Sequence, residues 1–146
     1  MAVQTRDELA AIDPLTDSIV DRVAVPGIQR PHGFHVDAAR RLIYVTGEEN
    51  SRVGVLNLRT KRMVDTYAVG QAPDVLAMDP ERSRLFVASE SGAISAFEIQ
   101  GDSLAPLPRY TATHAHSVAV DPASHLVYVP LENVGGRPVL RILRLE

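Results

Sequence analysis

One stretch of the chain returns twice at a fixed distance. Residues 31–48 read PHGFHVDAARRLIYVTGE, residues 73–90 read PDVLAMDPERSRLFVASE, and residues 115–132 read AHSVAVDPASHLVYVPLE, each 42 residues beyond the last. A period near 40 residues marks a propeller or a solenoid. Each repeat is too small to bury its own apolar surface and must stack on its neighbours.

The strand pattern within a period narrows the choice. Residues 34–36 form a short inner strand, closed by a turn at 37–40, and 42–46 (LIYVT) has the β-branched and aromatic content of a buried strand. A loop at 47–51 leads to a third strand at 53–58 (VGVLNL), and a turn at 59–61 leads to a fourth at 63–69 (MVDTYAV). The second unit repeats this at 75–78, 85–88, 93–99 and 108–111, with Gly101-Asp102-Ser103 as the last turn. The third unit supplies 118–120, 126–129 and 139–145, with Gly135-Gly136 and Pro138 in a loose loop. Ahead of the first unit, 9–13 and 18–25 read as the third and fourth strands of another, since VDRVAV at 20–25 echoes VDTYAV at 64–69. Residues 1–8 are polar and carry no clear assignment, and 7–11 have room for one helical turn at most.

Four short antiparallel strands per period form the blade of a β-propeller. The predicted fold is therefore all-β: a partial β-propeller of about 3.5 four-stranded blades in one domain over 1–146, with units at 1–27 (partial), 28–69, 70–111 and 112–146 (partial). The columns Ile43/Leu85/Val127, Tyr44/Phe86/Tyr128 and Val45/Val87/Val129 are expected to pack blade on blade. The Asp37/Asp79/Asp121 column sits where an Asx-turn hydrogen bond closes the inner hairpin.

Composition excludes several classes of function. Fifteen Lys and Arg stand against eighteen Asp and Glu, a net charge of −3, and the basic residues are scattered rather than gathered into a nucleic-acid surface. Aromatic residues make up only 5% and do not interleave with basic ones. Without cysteine there is no disulfide, thiolate metal site or cysteine nucleophile. No apolar run approaches the roughly 20 residues of a membrane span. The acidic start, MAVQTRDELAAIDP, is unlike a signal peptide, so the chain as written reads as cytoplasmic. No P-loop, GxGxxG, HExxH or GxSxG motif occurs.

Two further columns carry potential chemistry. Five residues before the Asp column stand His32, Asp74 and His116, and eleven after it stand Glu48, Glu90 and Glu132. In a propeller the start of the inner strand and the loop after the second strand share one end of the ring. Imidazoles and carboxylates converging there suit a polar ligand or a divalent metal, the one cofactor the chain suggests. The competing reading is that such positions are solvated and repeat through duplication alone. His114 and His116 form an H-A-H pair. His35 points away from Phe34 as a packed or solvent-facing imidazole, and His125 falls in a surface turn. Arg137, Arg141 and Arg144 give the last strand a solvated basic face.

The triplets Tyr44-Val45-Thr46, Phe86-Val87-Ala88 and Tyr128-Val129-Pro130 resemble the signature of the YVTN-repeat, YncE-like β-propellers. Gln71-Ala72-Pro73 with Met78-Asp79-Pro80 resembles that family's linker and inner strand, and 9–16 (LAAIDPLT) resembles its third strand and turn. The resemblance implies half of a seven-bladed ring, relatives that are often exported, and either a homo-oligomer or a missing N-terminal half. In a head-to-tail dimer, residues 18–25 of one copy are candidates for the fourth strand missing beside 115–146 of the other. The leading functional reading is a non-enzymatic binding or scaffold propeller that offers its channel mouth to a protein or small ligand, without nucleic-acid or membrane partners. The alternative, implied by seven-bladed relatives of the broader class, is a lactonase- or lyase-like enzyme. In it, the six His, Asp and Glu residues would hold a metal or act as an acid/base pair.

Overall fold

The computed structural model describes residues 1–113 and 115–144. Fifteen strands form four antiparallel sheets. Sheet I contains β1 (Ala2–Val3), β2 (Glu8–Asp13) and β3 (Ser18–Ala24). Sheet II contains β4 (Pro31–Asp37), β5 (Leu42–Gly47), β6 (Arg52–Asn57) and β7 (Arg62–Ala68). Sheet III contains β8 (Pro73–Asp79), β9 (Arg84–Ser89), β10 (Ala93–Gln100) and an outer edge shared by β11 (Ser103–Pro106) and β12 (Tyr110–Thr111). Sheet IV contains β13 (Ala119–Asp121), β14 (Leu126–Val134) and β15 (Arg137–Arg144). Strands follow chain order within each sheet, so the first strand of a full unit is innermost.

Three apolar clusters fill the three spaces between consecutive sheets. Leu9 of sheet I meets Ile28, Val45 and Leu56. Tyr44, Val53 and Val55 of sheet II meet Leu85, Val87 and Phe97 of sheet III. Phe86 and Ile94 of sheet III meet Val127, Val129 and Leu131 of sheet IV. The two-residue alternation of a strand explains the assignment: Val45 faces back and Tyr44 faces forward, Val87 faces back and Phe86 faces forward. Both faces of sheets II and III are thus apolar and covered.

The repeat extends to the backbone. Arg41, Ser83 and His125, spaced by 42, adopt φ of 56°, 50° and 59°, a region that non-glycine residues seldom enter. Asp7, Ser51 and Gly92 are likewise left-handed, each just before the third strand of its unit. Their carbonyls accept the N–H of Val25, Val69 and Ala112 at 3.0, 3.0 and 2.7 Å.

The Asp column closes its turns as expected. Asp37 accepts the Arg40 N–H at 3.0 Å, Asp79 that of Arg82 at 3.2 Å, and Asp121 that of Ala123 at 3.1 Å. Two members also rivet neighbouring sheets. Arg40 donates to Asp37 at 2.9 Å and reaches forward to the Ser83 hydroxyl at 2.7 Å. His125, half-buried rather than on a free surface turn, reaches back to Asp79 with its Nδ1 at 2.8 Å.

Two local expectations need correction, and the first residues gain an assignment. The outer edge of sheet III is not a strand over 108–111. Ser103, expected in a turn, opens β11, which pairs with the far half of β10, while Tyr110–Thr111 pairs with the near half. Pro108, lacking an N–H, interrupts the ladder between them. The segment around Gly135-Gly136 is a tight hairpin, not a loose loop. Both glycines have positive φ (62° and 86°), the backbone of a two-residue turn matched to strand twist. Residues 7–11 hold no helix, in keeping with the limit of one turn. A 3-10 turn occupies Gln4–Arg6, and β2 begins at Glu8. Finally, Ala2 pairs with Leu9 as Thr46 pairs with Val53, so β1 is the end of a second strand.

Tyr44 carries a buried hydroxyl without a hydrogen-bond partner. Burial, reinforced by the charge of Asp37, pushes its pKa up to about 12. An unfolded tyrosine ionises near pH 10. Between about pH 10 and about 12 the unfolded chain therefore loses this proton first, and stability falls as pH rises. Phe86 occupies the same column without the hydroxyl. Tyr44→Phe is expected to stabilise the fold by about 1 kcal/mol in urea denaturation and to remove that alkaline decline. Loss of stability in the variant would contradict this account.

Candidate functional site

The site lies where the inner strands begin. In β4 the pairing skips from Pro31↔Gly47 to Phe34↔Val45, and in β8 from Pro73↔Ser89 to Leu76↔Val87. Each skip is a β-bulge, two residues opposite one, and such bulges bend a strand and re-aim its side chains. His32 sits in the first bulge and Asp74 in the second. The Thr46 hydroxyl holds the first in shape, accepting the Gly33 N–H at 3.0 Å and donating to the Gly33 carbonyl at 3.1 Å.

The re-aimed side chains meet across sheets. His32 Nδ1 lies 2.8 Å from one oxygen of Asp74, and His116 Nδ1 lies 3.7 Å from the other. The far side of His116 continues the line, with Nε2 3.3 Å from Glu132. His32 and His116 remain roughly half-exposed, while Asp74 is more enclosed. The first column thus becomes one chain of contacts, His32–Asp74–His116, drawn from three consecutive units.

The glutamate column divides. Glu132 joins the line from within β14, because that strand runs on to Val134 instead of ending in a loop. Glu48 faces another way, 3.6 Å from Arg30 and accepting from the Gln4 amide at 3.0 Å. Glu90 is exposed and is placed by its backbone, whose N–H donates to the Ala72 carbonyl at 2.9 Å. Gln4 was missed in the sequence. It is the first member of this same column, but it follows a strand of two residues and stands 44, not 42, residues before Glu48. His35 is partly buried, and burial lowers its pKa despite the opposing charge of Asp37. His114 lies outside the described residues.

Among the described residues, no group of three or more His, Asp or Glu side chains is arranged to hold a metal ion. His32 spends its Nδ1 on Asp74 at 2.8 Å, whereas the His116 Nδ1, 3.7 Å from that carboxylate, is within ion-pair reach only. The geometry suits hydrogen bonding and ion pairing at a half-open surface.

No protein-family model matches the chain, and comparison with curated proteins gives no match. Solved structures do resemble it. Kuenenia stuttgartiensis hydrazine synthase superposes with a TM-score of 0.77 at 19% identity, over 96% of this chain and 44% of that one. The dihydro-heme d1 dehydrogenase NirN in complex with DHE superposes with a TM-score of 0.68 at 19% identity, over 97% of this chain and 34% of that one. The chain therefore spans less than half the length of either. At this identity the likeness shows the fold alone. Together with the four stacked sheets it defines the class: an all-β, partial β-propeller.

Gly33 controls the approach of the two bulges. A Cβ there would overlap the Asp74 carbonyl oxygen and crowd Leu76. Gly33→Ala is expected to cost about 1–3 kcal/mol, as overpacking does. It should also separate His32 from Asp74. Thermal denaturation and the His32 imidazole resonances check both effects, and a variant as stable as the parent would refute the role given to this glycine.

Proposed function

We propose that the chain serves as a non-enzymatic binding propeller of the YVTN-repeat, YncE-like kind, forming one partial-propeller domain over 1–146. Its binding surface is the end where the inner strands begin. The observation that carries this reading is the convergence of His32, Asp74 and His116, from three sheets, onto one line of contacts. Structural side chains at equivalent positions have no need to meet. Here a bulge in each of two inner strands bends the backbone so that they do.

The occupant is a small polar ligand or a polar segment of a protein. Asp74, Glu48, Glu90 and Glu132 stand at this end with Arg30, Arg52 and Arg137, a surface of both signs that suits a polar ligand. The imidazoles offer both donor and acceptor nitrogens. A second reading, acid/base catalysis of the lactonase or lyase type, rests on the 2.8 Å contact between His32 and Asp74, which orients an imidazole as a base requires.

Histidine side-chain NMR separates these readings. Titration with a small polyamine, a monosaccharide and a simple lactone should shift the His32 and His116 resonances while His35 and His125 stay unchanged. Asp74→Asn should weaken that binding at least several-fold. Turnover of the lactone, abolished in His32→Ala, would favour the enzyme. Shifts that ignore His32 and His116 with every probe would refute a site at this end.

A further inference from the structure

The two imidazoles of the candidate site are not equivalent. Among the described residues the His32 side chain has a single polar partner, with its Nδ1 2.8 Å from an oxygen of Asp74. A carboxylate accepts, so Nδ1 carries the proton and the neutral ring keeps its lone pair on Nε2. That nitrogen belongs to a side chain 44% exposed. His116 is bracketed instead. Its Nδ1 stands 3.7 Å from Asp74 and its Nε2 3.3 Å from Glu132, so each ring nitrogen has a carboxylate within ion-pair reach. One ring offers an uncommitted acceptor, and the other is engaged on both sides.

The backbone beside His32 is also held in a way the repeat does not share. Thr46, fully buried, ties both the N–H and the carbonyl of Gly33, the residue after His32, through one hydroxyl. Ala88 and Pro130 occupy the same column and have no hydroxyl, so this clamp belongs to the first bulge. The nearby charges are largely answered. Arg30 stands 3.6 Å from Glu48, while Asp74 and Glu132 face the imidazoles. Farther out, Glu90, Arg52 and Arg137 carry both signs, so this end favours neither sign of ligand. A charged ligand would compete with partners already in place, whereas a hydroxyl meets an acceptor that has none.

We infer that His32 Nε2 is the contact atom of this site, and that its ligand is an uncharged polyol of the saccharide class, which donates one O–H to that nitrogen. Asp74 is a positioning residue that sets the tautomer of His32 from the next sheet. Thr46 is a second positioning residue, which sets where the ring stands by fixing the bulge that carries it. Placing the acceptor in advance spares the complex the cost of ordering it. This inference rests on the binding reading above, and its test separates the two.

Imidazole nitrogen NMR, at a pH where the ring is neutral, reads the tautomer of His32 directly. The parent should be protonated at Nδ1, and Asp74→Ala should return the ring to the Nε2-protonated form that free imidazole side chains favour. Thr46→Val keeps the shape but removes the hydroxyl and should mix the two forms, while Thr46→Ser should keep the parent signal. Glucose should shift the His32 Nε2 resonance several-fold more than fully O-methylated glucose, which has acceptors and no donor. The effect should be the same at high salt as at low, because no charge is exchanged. A parent ring protonated at Nε2 would overturn the contact atom. Equal responses to the two sugars, or no response to glucose, would overturn the ligand class. If a polyamine or a lactone shifts His32 where glucose does not, binding at this end stands and the saccharide inference falls.

Discussion

Every sheet in this chain depends on being covered. A four-stranded sheet with Tyr44 on one face and Val45 on the other has no solvated side to spare. Its stability comes from neighbours on both faces, with burial of apolar surface contributing about 25 cal/mol per Å2. This constraint sets the order of the sheets, since the chain can only add the next unit against the open face of the last. It also fixes where polar chemistry is tolerated. Polar side chains that meet across sheets sit at strand ends, and among the described residues the buried hydroxyls of Tyr44, Ser89 and Ser95 lack a partner.

The candidate site follows from the same geometry. Stacked sheets fan outward from their inner strands, so the inner strands of consecutive units come closest together. At the bulges the approach is close enough for a carboxylate of one unit to lie between imidazoles of the units before and after it. Glycine at position 33 permits it, because the Asp74 backbone occupies the space a side chain would need. The local architecture thus couples sheet spacing to the electrostatics of the rim.

Much of this was legible in the sequence. The 42-residue period gave the fold class, and it gave the His32/Asp74/His116 column because a repeated backbone places equivalent residues at equivalent points. The period could not show that these side chains meet. That depends on bulges, which leave hydropathy alternation almost unchanged while redirecting individual side chains. Gln4 escaped notice because its unit is short and offset by two residues. Glu132 looked like a loop residue by analogy with Glu48, but Gly135-Gly136 turns the chain tightly and lengthens the strand. His125 looked like an ordinary turn residue because its partner, Asp79, is 46 positions away and a sequence pattern carries no information on such pairings.

The polar rivets between sheets have a further consequence. At the junction of sheets II and III an arginine of the earlier sheet reaches forward to a serine. At the junction of sheets III and IV a histidine of the later sheet reaches back to an aspartate. The two junctions are alike in apolar packing and opposite in the direction of their polar contact. A chain of near-equivalent units risks docking the third where the second belongs, the characteristic misassembly of repeat proteins. Unlike keys at successive junctions penalise that error, because a misplaced unit would strand a buried aspartate or arginine beside the wrong partner. Divergence at these positions gives each unit an address within an otherwise uniform stack.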